Sequence, residues 1–166
     1  MSPAIRRVEP AENEVLAALE AKARQPSAFF RVMANRPEAL KNFPPFYSAV
    51  LGAGSVERRI KAEVYLAVSF ANRCAFCSAT HMAGGRKAGL TDEEIGAIRG
   101  EKDAGFSDPE RAALAYAREL TRTASALQTR DALRQHFTDE QVVEITLVAA
   151  MANFTNRFNN ALDVQP

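Results

Sequence analysis

The segment Cys74-Ala-Phe-Cys77-Ser-Ala-Thr-His81 holds two thiols three residues apart and an imidazole four residues beyond the second. On the first turn of a helix, thiols at this spacing close a small disulfide without large backbone movement. Backbone N–H groups and the positive end of the helix dipole favour a thiolate there, and thiolate is the species that attacks peroxides and disulfides. One turn further along the same face, His81 can accept or relay a thiol proton. Two other readings use the same residues. One is half of a zinc site, completed by Glu63, His136 or another carboxylate; the other is a pair of buried structural cysteines.

Such a pair needs a helix to hold it, and helix-start signals recur along the chain. Capping boxes stand at Thr91-Asp-Glu-Glu94, Ser107-Asp-Pro-Glu110 and Thr138-Asp-Glu-Gln141, each followed by apolar residues at helical spacing. Val15, Leu16, Leu19 and Ala23 form an earlier stripe, and Ala39, Leu40 and Phe43 begin another that Pro44-Pro45 is expected to break or kink. Gly52-Ala-Gly54 lacks the Gly-Lys-Ser/Thr of a phosphate loop and reads as a helix terminus. Ser55 is expected to cap a helix running through Ile60, Val64 and Val68 to Ala71. Val64, Leu66, Val68 and Phe70 also satisfy strand alternation, but the length of the segment and its upstream charges favour the helix. The pattern predicts one all-α unit of about eight helices.

Composition narrows the function. At 166 residues, 47% of them hydrophobic and 25% charged, the chain has the makeup of one folded domain. Its 21 basic and 20 acidic residues leave a net charge of +1, too little for a general nucleic-acid binder. The charge-free stretch between Glu144 and Arg157 falls short of the ~18 apolar residues of a membrane span. The N-terminal residues lack the apolar core of a secretory signal, and two cysteines are too few for a disulfide-stapled secreted scaffold, so a cytoplasmic location is expected.

The segment Glu63–His81, followed by Arg86-Lys-Ala-Gly-Leu-Thr-Asp-Glu-Glu-Ile95, resembles the carboxymuconolactone decarboxylase/AhpD-like superfamily. Arg36–Leu40 and Val148–Phe158 extend the resemblance, which covers about Phe29 to Leu162 and leaves an N-terminal helical extension within a single domain, 1–166. The intact Cys-x-x-Cys with its following His is similar to the peroxidase-related branch; decarboxylases of the superfamily typically do not keep the pair. The resemblance implies an AhpD-like fold, assembly as a homo-oligomer (trimer or hexamer), and thiol-dependent alkyl hydroperoxidase activity. It implies that Cys77 becomes the sulfenic acid, that Cys74 resolves it to a disulfide, and that His81 relays protons. No bound cofactor or metal is implied. An organic hydroperoxide is the expected substrate, and a thioredoxin- or lipoyl-type dithiol the expected reductant.

The chain departs from the family pattern at the relay carboxylate. That residue normally lies twelve positions before the first cysteine, which is Ala62, whereas Glu63 lies eleven before. One residue rotates a helical side chain by about 100°. Glu63 is therefore read either as a displaced relay acid or as a solvated helix carboxylate. Phe76 stands where some relatives carry another His.

The remaining residues invite plainer readings. His136 reads as a surface residue, and Arg6-Arg7 and Arg58-Arg59 as solvated charge. Phe29, Phe30, Met33, Phe43, Phe46, Tyr47 and Met82 suit either an apolar substrate entrance or core. Asn153, Asn156, Arg157 and Asn159, set in an apolar last helix, suggest buried polar contacts across subunits. Two functions compete with the hydroperoxidase: a lyase using His81 as acid/base, and a non-enzymatic helical oligomer with a structural Cys/His metal site.

Overall fold

In the computed structural model, which describes residues 5–165, the ambiguous stretch before the cysteines is helical. The nine α-helices among these residues are α1 (Glu14–Ala23), α2 (Ala28–Met33), α3 (Pro37–Leu51), α4 (Arg58–Ala71), α5 (Ala75–Lys87), α6 (Asp92–Gly100), α7 (Asp108–Thr123), α8 (Arg130–Leu133) and α9 (Asp139–Ala161). Short 3₁₀ turns occupy Pro10–Glu12 and Asp103–Gly105. No strand occurs among the described residues. The count exceeds the expected eight because α8 is a four-residue turn, too short to show periodicity. The first four residues and the last of the expected 1–166 domain lie outside the described residues.

Helix α4 is the hub, with α5, α6, α7 and α9 packed around it. Every residue from Val64 to Ser69 is buried, which is why the sequence shows no one-sided stripe there. Ile60, Val64, Leu66 and Val68 join Leu114, Ala117, Ile145, Val148 and Ala152 in the main core. A second cluster gathers Leu16, Phe29, Met33 and Leu40 under α1, α2 and α3.

All three capping boxes form, at Thr91, Ser107 and Thr138. Pro44 and Pro45 do not break α3, which continues through both although each ring withholds a backbone donor. Leu40 and Val50, buried on either side of the prolines, anchor both halves. Ser55 does not cap α4, which starts after Glu57. Its N–H and Oγ–H instead donate to Glu144 Oε2, at 2.8 and 2.6 Å, so the hydroxyl is drawn to α9.

Candidate active site

The cysteines sit where α4 hands over to α5. Arg73 takes a left-handed conformation (φ 53°), Cys74 N–H donates to Ser69 O at 3.0 Å, and Arg73 N–H donates to Phe70 O at 3.0 Å. This pair of bonds is a Schellman closure, built on a non-glycine residue. Its next residue, Cys74, is already the N-cap of α5. Cys74 Sγ accepts from Cys77 N–H at 3.2 Å, so the sulfur occupies the position where a first-turn N–H stabilises negative charge. Cys74 and Cys77 are joined in a disulfide with Cα atoms 5.3 Å apart.

Both cysteines are buried, but only Cys77 lines a cleft of about 710 Å³ that runs between α2, α3, α5 and α9. Phe29, Phe30, Phe43 and Phe76 supply much of its wall, with Arg7 and Gln25 also on its lining. Of the aromatic and methionine residues expected at an entrance, Phe29, Phe30, Phe43 and Tyr47 line this cleft. Phe46 belongs instead to a separate apolar groove with Leu147 and Phe154, and Met33 and Met82 pack against the core clusters.

His81 shares the cleft with Cys77. Its ring stacks on Tyr65 with centroids 3.6 Å apart, and its Nε2 lies 3.4 Å from Tyr47 Oη. Burial pushes His81 down to about 4, so the imidazole is neutral at physiological pH. Tyr65 Oη bonds Thr155 Oγ1 at 2.6 Å, and burial pushes its phenol up to about 12; Tyr47 is also shifted upward by burial. The site thus offers a neutral imidazole flanked by two protonated phenols.

Glu63 has other neighbours. On α4 it lies about 200° around the axis from Tyr65, whereas Ala62 and Tyr65, three apart, share a face. Position 62 therefore falls on the Tyr65 side, and Glu63 turns toward α6 and α7. There it is fully buried, so it is not a solvated carboxylate either. Arg59 Nε lies 3.1 Å from Glu63 Oε1 but donates its hydrogen bonds elsewhere: Nε to Glu110 at 2.8 Å, Nη2 to Glu94 at 2.5 Å and Nη1 to Gly89 O at 2.9 Å. Neither Glu63 oxygen has a hydrogen-bond partner among the described residues. Burial and the Glu110 charge push Glu63 up to about 8, while Glu110, held by Arg59 and Ser107, falls to about 2. Arg59 is consequently half-buried structural charge; its neighbour Arg58 is exposed as expected.

The asparagines of α9 find partners within the chain. Asn153 bonds Thr121 and Asn72, and Asn156 bonds Ser69 and Asn72. Asn159 Nδ2 lies 3.2 Å from Cys77 Sγ, a contact that sequence reasoning missed. His136 is exposed, as expected. Among the described residues no group of three or more His, Cys, Asp or Glu is arranged to hold a metal ion, and no helix is long and apolar enough to cross a membrane.

Residues 37–119 match the Carboxymuconolactone decarboxylase family. Protein YdfG of Bacillus subtilis (strain 168), itself uncharacterized, is 31% identical over 114 residues, spanning 65% of this chain and 76% of its own. An uncharacterized peroxidase-related protein from Ralstonia eutropha JMP134, described as an alkylhydroperoxidase AhpD core, superposes with a TM-score of 0.84 at 23% identity, covering 99% of this chain and 94% of that one. The debrominase Bmp8, solved with 2,3,4-tribromopyrrole, gives a TM-score of 0.83 at 18% identity, covering 99% and 92%. These two structural likenesses establish a shared all-α fold. The match over residues 37–119 shows that the chain belongs to the carboxymuconolactone decarboxylase family, and its fold is AhpD-like.

Proposed function

We propose that this protein is a thiol-dependent hydroperoxidase in which Cys77 is the peroxidatic residue and Cys74 the resolving one. The observation that carries the reading is that Cys77, already paired with Cys74, is the one of the two that lines the apolar cleft shared with His81. Cys77 thiolate attacks the terminal oxygen of ROOH; the O–O bond breaks, leaving Cys77-SOH and an alkoxide. The proton given up by the Cys77 thiol reaches the alkoxide through His81, whose neutral ring can accept at one nitrogen and donate at the other. Cys74, with Cys77 N–H beside its sulfur, then attacks Cys77-SOH, releasing water and closing the disulfide. An external dithiol, of thioredoxin or lipoyl type, reduces it by exchange. The sum is ROOH plus dithiol giving ROH, water and the oxidised carrier.

Fully reduced protein mixed with one equivalent of an organic hydroperoxide should lose both thiols to one intramolecular Cys74–Cys77 bond, located by mass spectrometry. Cys77→Ser should abolish peroxide consumption; retained turnover would overturn the assignment. Under the same dithiol, bromide release from a brominated pyrrole separates hydroperoxide reduction from the activity of Bmp8. Homo-oligomerisation belongs to the same proposal. Its support is the apolar groove formed by Phe46, Leu147, Met151 and Phe154, where Phe46 and Phe154 are about half exposed, and sedimentation mass tests it.

A further inference from the structure

Three buried asparagines recur at every third residue of α9, Asn153, Asn156 and Asn159, and two of them are satisfied. Asn153 and Asn156 each accept a hydrogen bond from Asn72 and donate to side chains of α7 or α4. Asn159 is different. It is 2% exposed, its Nδ2 lies 3.2 Å from Cys77 Sγ, and its Oδ1 is buried with no hydrogen-bond partner among the described residues. A disulfide sulfur has no proton to give, so the amide must present N–H to it, and the carbonyl is left to face elsewhere. Buried acceptors without donors are uncommon and call for an explanation. Thr155, one turn back on the same helix, does not supply the donor, because its hydroxyl is engaged with Tyr65 and Ala152 O. Asn159 also lines the cleft.

We propose that Asn159 is a catalytic residue that holds both partners of S–O bond formation, its N–H on the Cys77 thiolate and its carbonyl on the O–H of the incoming hydroperoxide. This rests on the hydroperoxidase reading above. A thiolate pair forms the S–O bond to the terminal peroxide oxygen as the O–O pair departs with the alkoxide, so Cys77 sulfur is oxidised by two electrons and the peroxide bond reduced by two. The terminal oxygen keeps its hydrogen, which remains on Asn159 Oδ1 as the sulfenic O–H. The alkoxide takes the proton that left the thiol. When Cys74 attacks, its thiol proton joins that hydroxyl, which leaves as water, and the carbonyl returns to the unpartnered state seen in the disulfide form.

The ionisable groups lining the cleft with Cys77 are Arg7 from the N-terminal segment, Tyr47 on α3, Tyr65 on α4 and His81 on α5; α9 contributes none, only Thr155 and Asn159. A carboxylate at position 159 would therefore be the first anion on this wall. With Cys74→Ser as background, leaving Cys77 the sole thiol, the pH dependence of alkylation by iodoacetamide reads its ionisation. Asn159→Asp should raise the Cys77 pKa by about one unit or more, because a negative charge replaces the donor. Asn159→Ala should raise it less. It should also slow sulfenic acid formation with cumene hydroperoxide by about tenfold beyond the change in thiolate fraction, the loss expected of one oriented hydrogen bond. Circular dichroism checks the fold, and if Asn159→Asp does not fold, Asn159→Ala carries both readouts. A Cys77 pKa unmoved in folded variants overturns the proposal. A shifted pKa in a protein whose wild type leaves hydroperoxide untouched overturns the hydroperoxidase reading and the carbonyl's role with it, while the N–H contact stands.

Discussion

Glu63 and Tyr65 lie two residues apart on α4 and face opposite sides of it, and the two sides treat buried ionisable groups differently. Toward α6 and α7, Arg59 brings one cation to three carboxylates. Its hydrogen bonds go to Glu94 and Glu110, which are lowered, and Glu63, at ion-pair distance but without a hydrogen bond, is raised to about 8. Toward the cleft the buried ionisable groups are neutral, and the charge on its lining is that of the exposed Arg7. Burial lowers His81 to about 4 and raises Tyr65 to about 12, so the ring and the phenol are both neutral. The same desolvation thus yields a charged knot where donors are in supply and a neutral wall where they are not. The wall suits a site whose negative charge arises only when Cys77 ionises.

Removing the cation of the knot tests the comparison most severely. Arg59→Leu would leave Glu110 and Glu94 without their shared partner, a loss of roughly 2–4 kcal/mol for a partly buried pair with charge-assisted hydrogen bonds. The thermal midpoint should fall by about 10 °C. Thiol chemistry at Cys77, measured per folded molecule, should not change, since the knot lies across α4 from the cleft. A midpoint within about 2 °C of wild type would mean that the knot is exposed charge after all.

The second test moves a charge from one side of α4 to the other. Ala62→Glu puts a carboxylate on the face of Tyr65, where His81 stacks, and should raise the His81 pKa from about 4 by at least one unit. The chain has only two histidines, so an imidazole NMR titration reads His81 directly with exposed His136 as the internal control. An unmoved His81 would show that residue 62 does not share its face.

The capping boxes at Thr91, Ser107 and Thr138 were legible because each is closed by residues three apart in the sequence. The redox motif was legible for the same reason: Cys74, Cys77 and His81 lie within two helical turns. What escaped depends on distant partners. Ser55 left its expected cap for Glu144, 89 residues away, and Asn159 reaches Cys77 across 82. Pro44-Pro45 carries a local signal to stop, which packing on both sides of the pair overrides. Glu63 fell between: its one-residue offset from the family position was visible, but its destination was set by where α6 and α7 pack.

The last test concerns that same residue. The folded protein holds the Glu63 proton up to about pH 8, while the ordinary value of 4.5 applies once the chain unfolds. Unfolding therefore releases a proton across this interval, and the stability contributed by Glu63 is present below pH 4.5 and is lost as pH rises toward 8. Glu110 works in the opposite direction at the acid end, its contribution fading as pH falls from 4.5 toward 2. Glu63→Gln keeps the shape and the uncharged state of the protonated acid, and its amide can donate to Glu110. The variant should therefore match wild type near pH 5 and exceed it at pH 8.5 by up to about 4 kcal/mol, or about 10 °C in thermal midpoint. His81 should titrate as in wild type, in contrast to Ala62→Glu. A variant less stable than wild type across this range would mean that Glu63 is ionised in the fold well below pH 8 and that Arg59 holds all three carboxylates as anions.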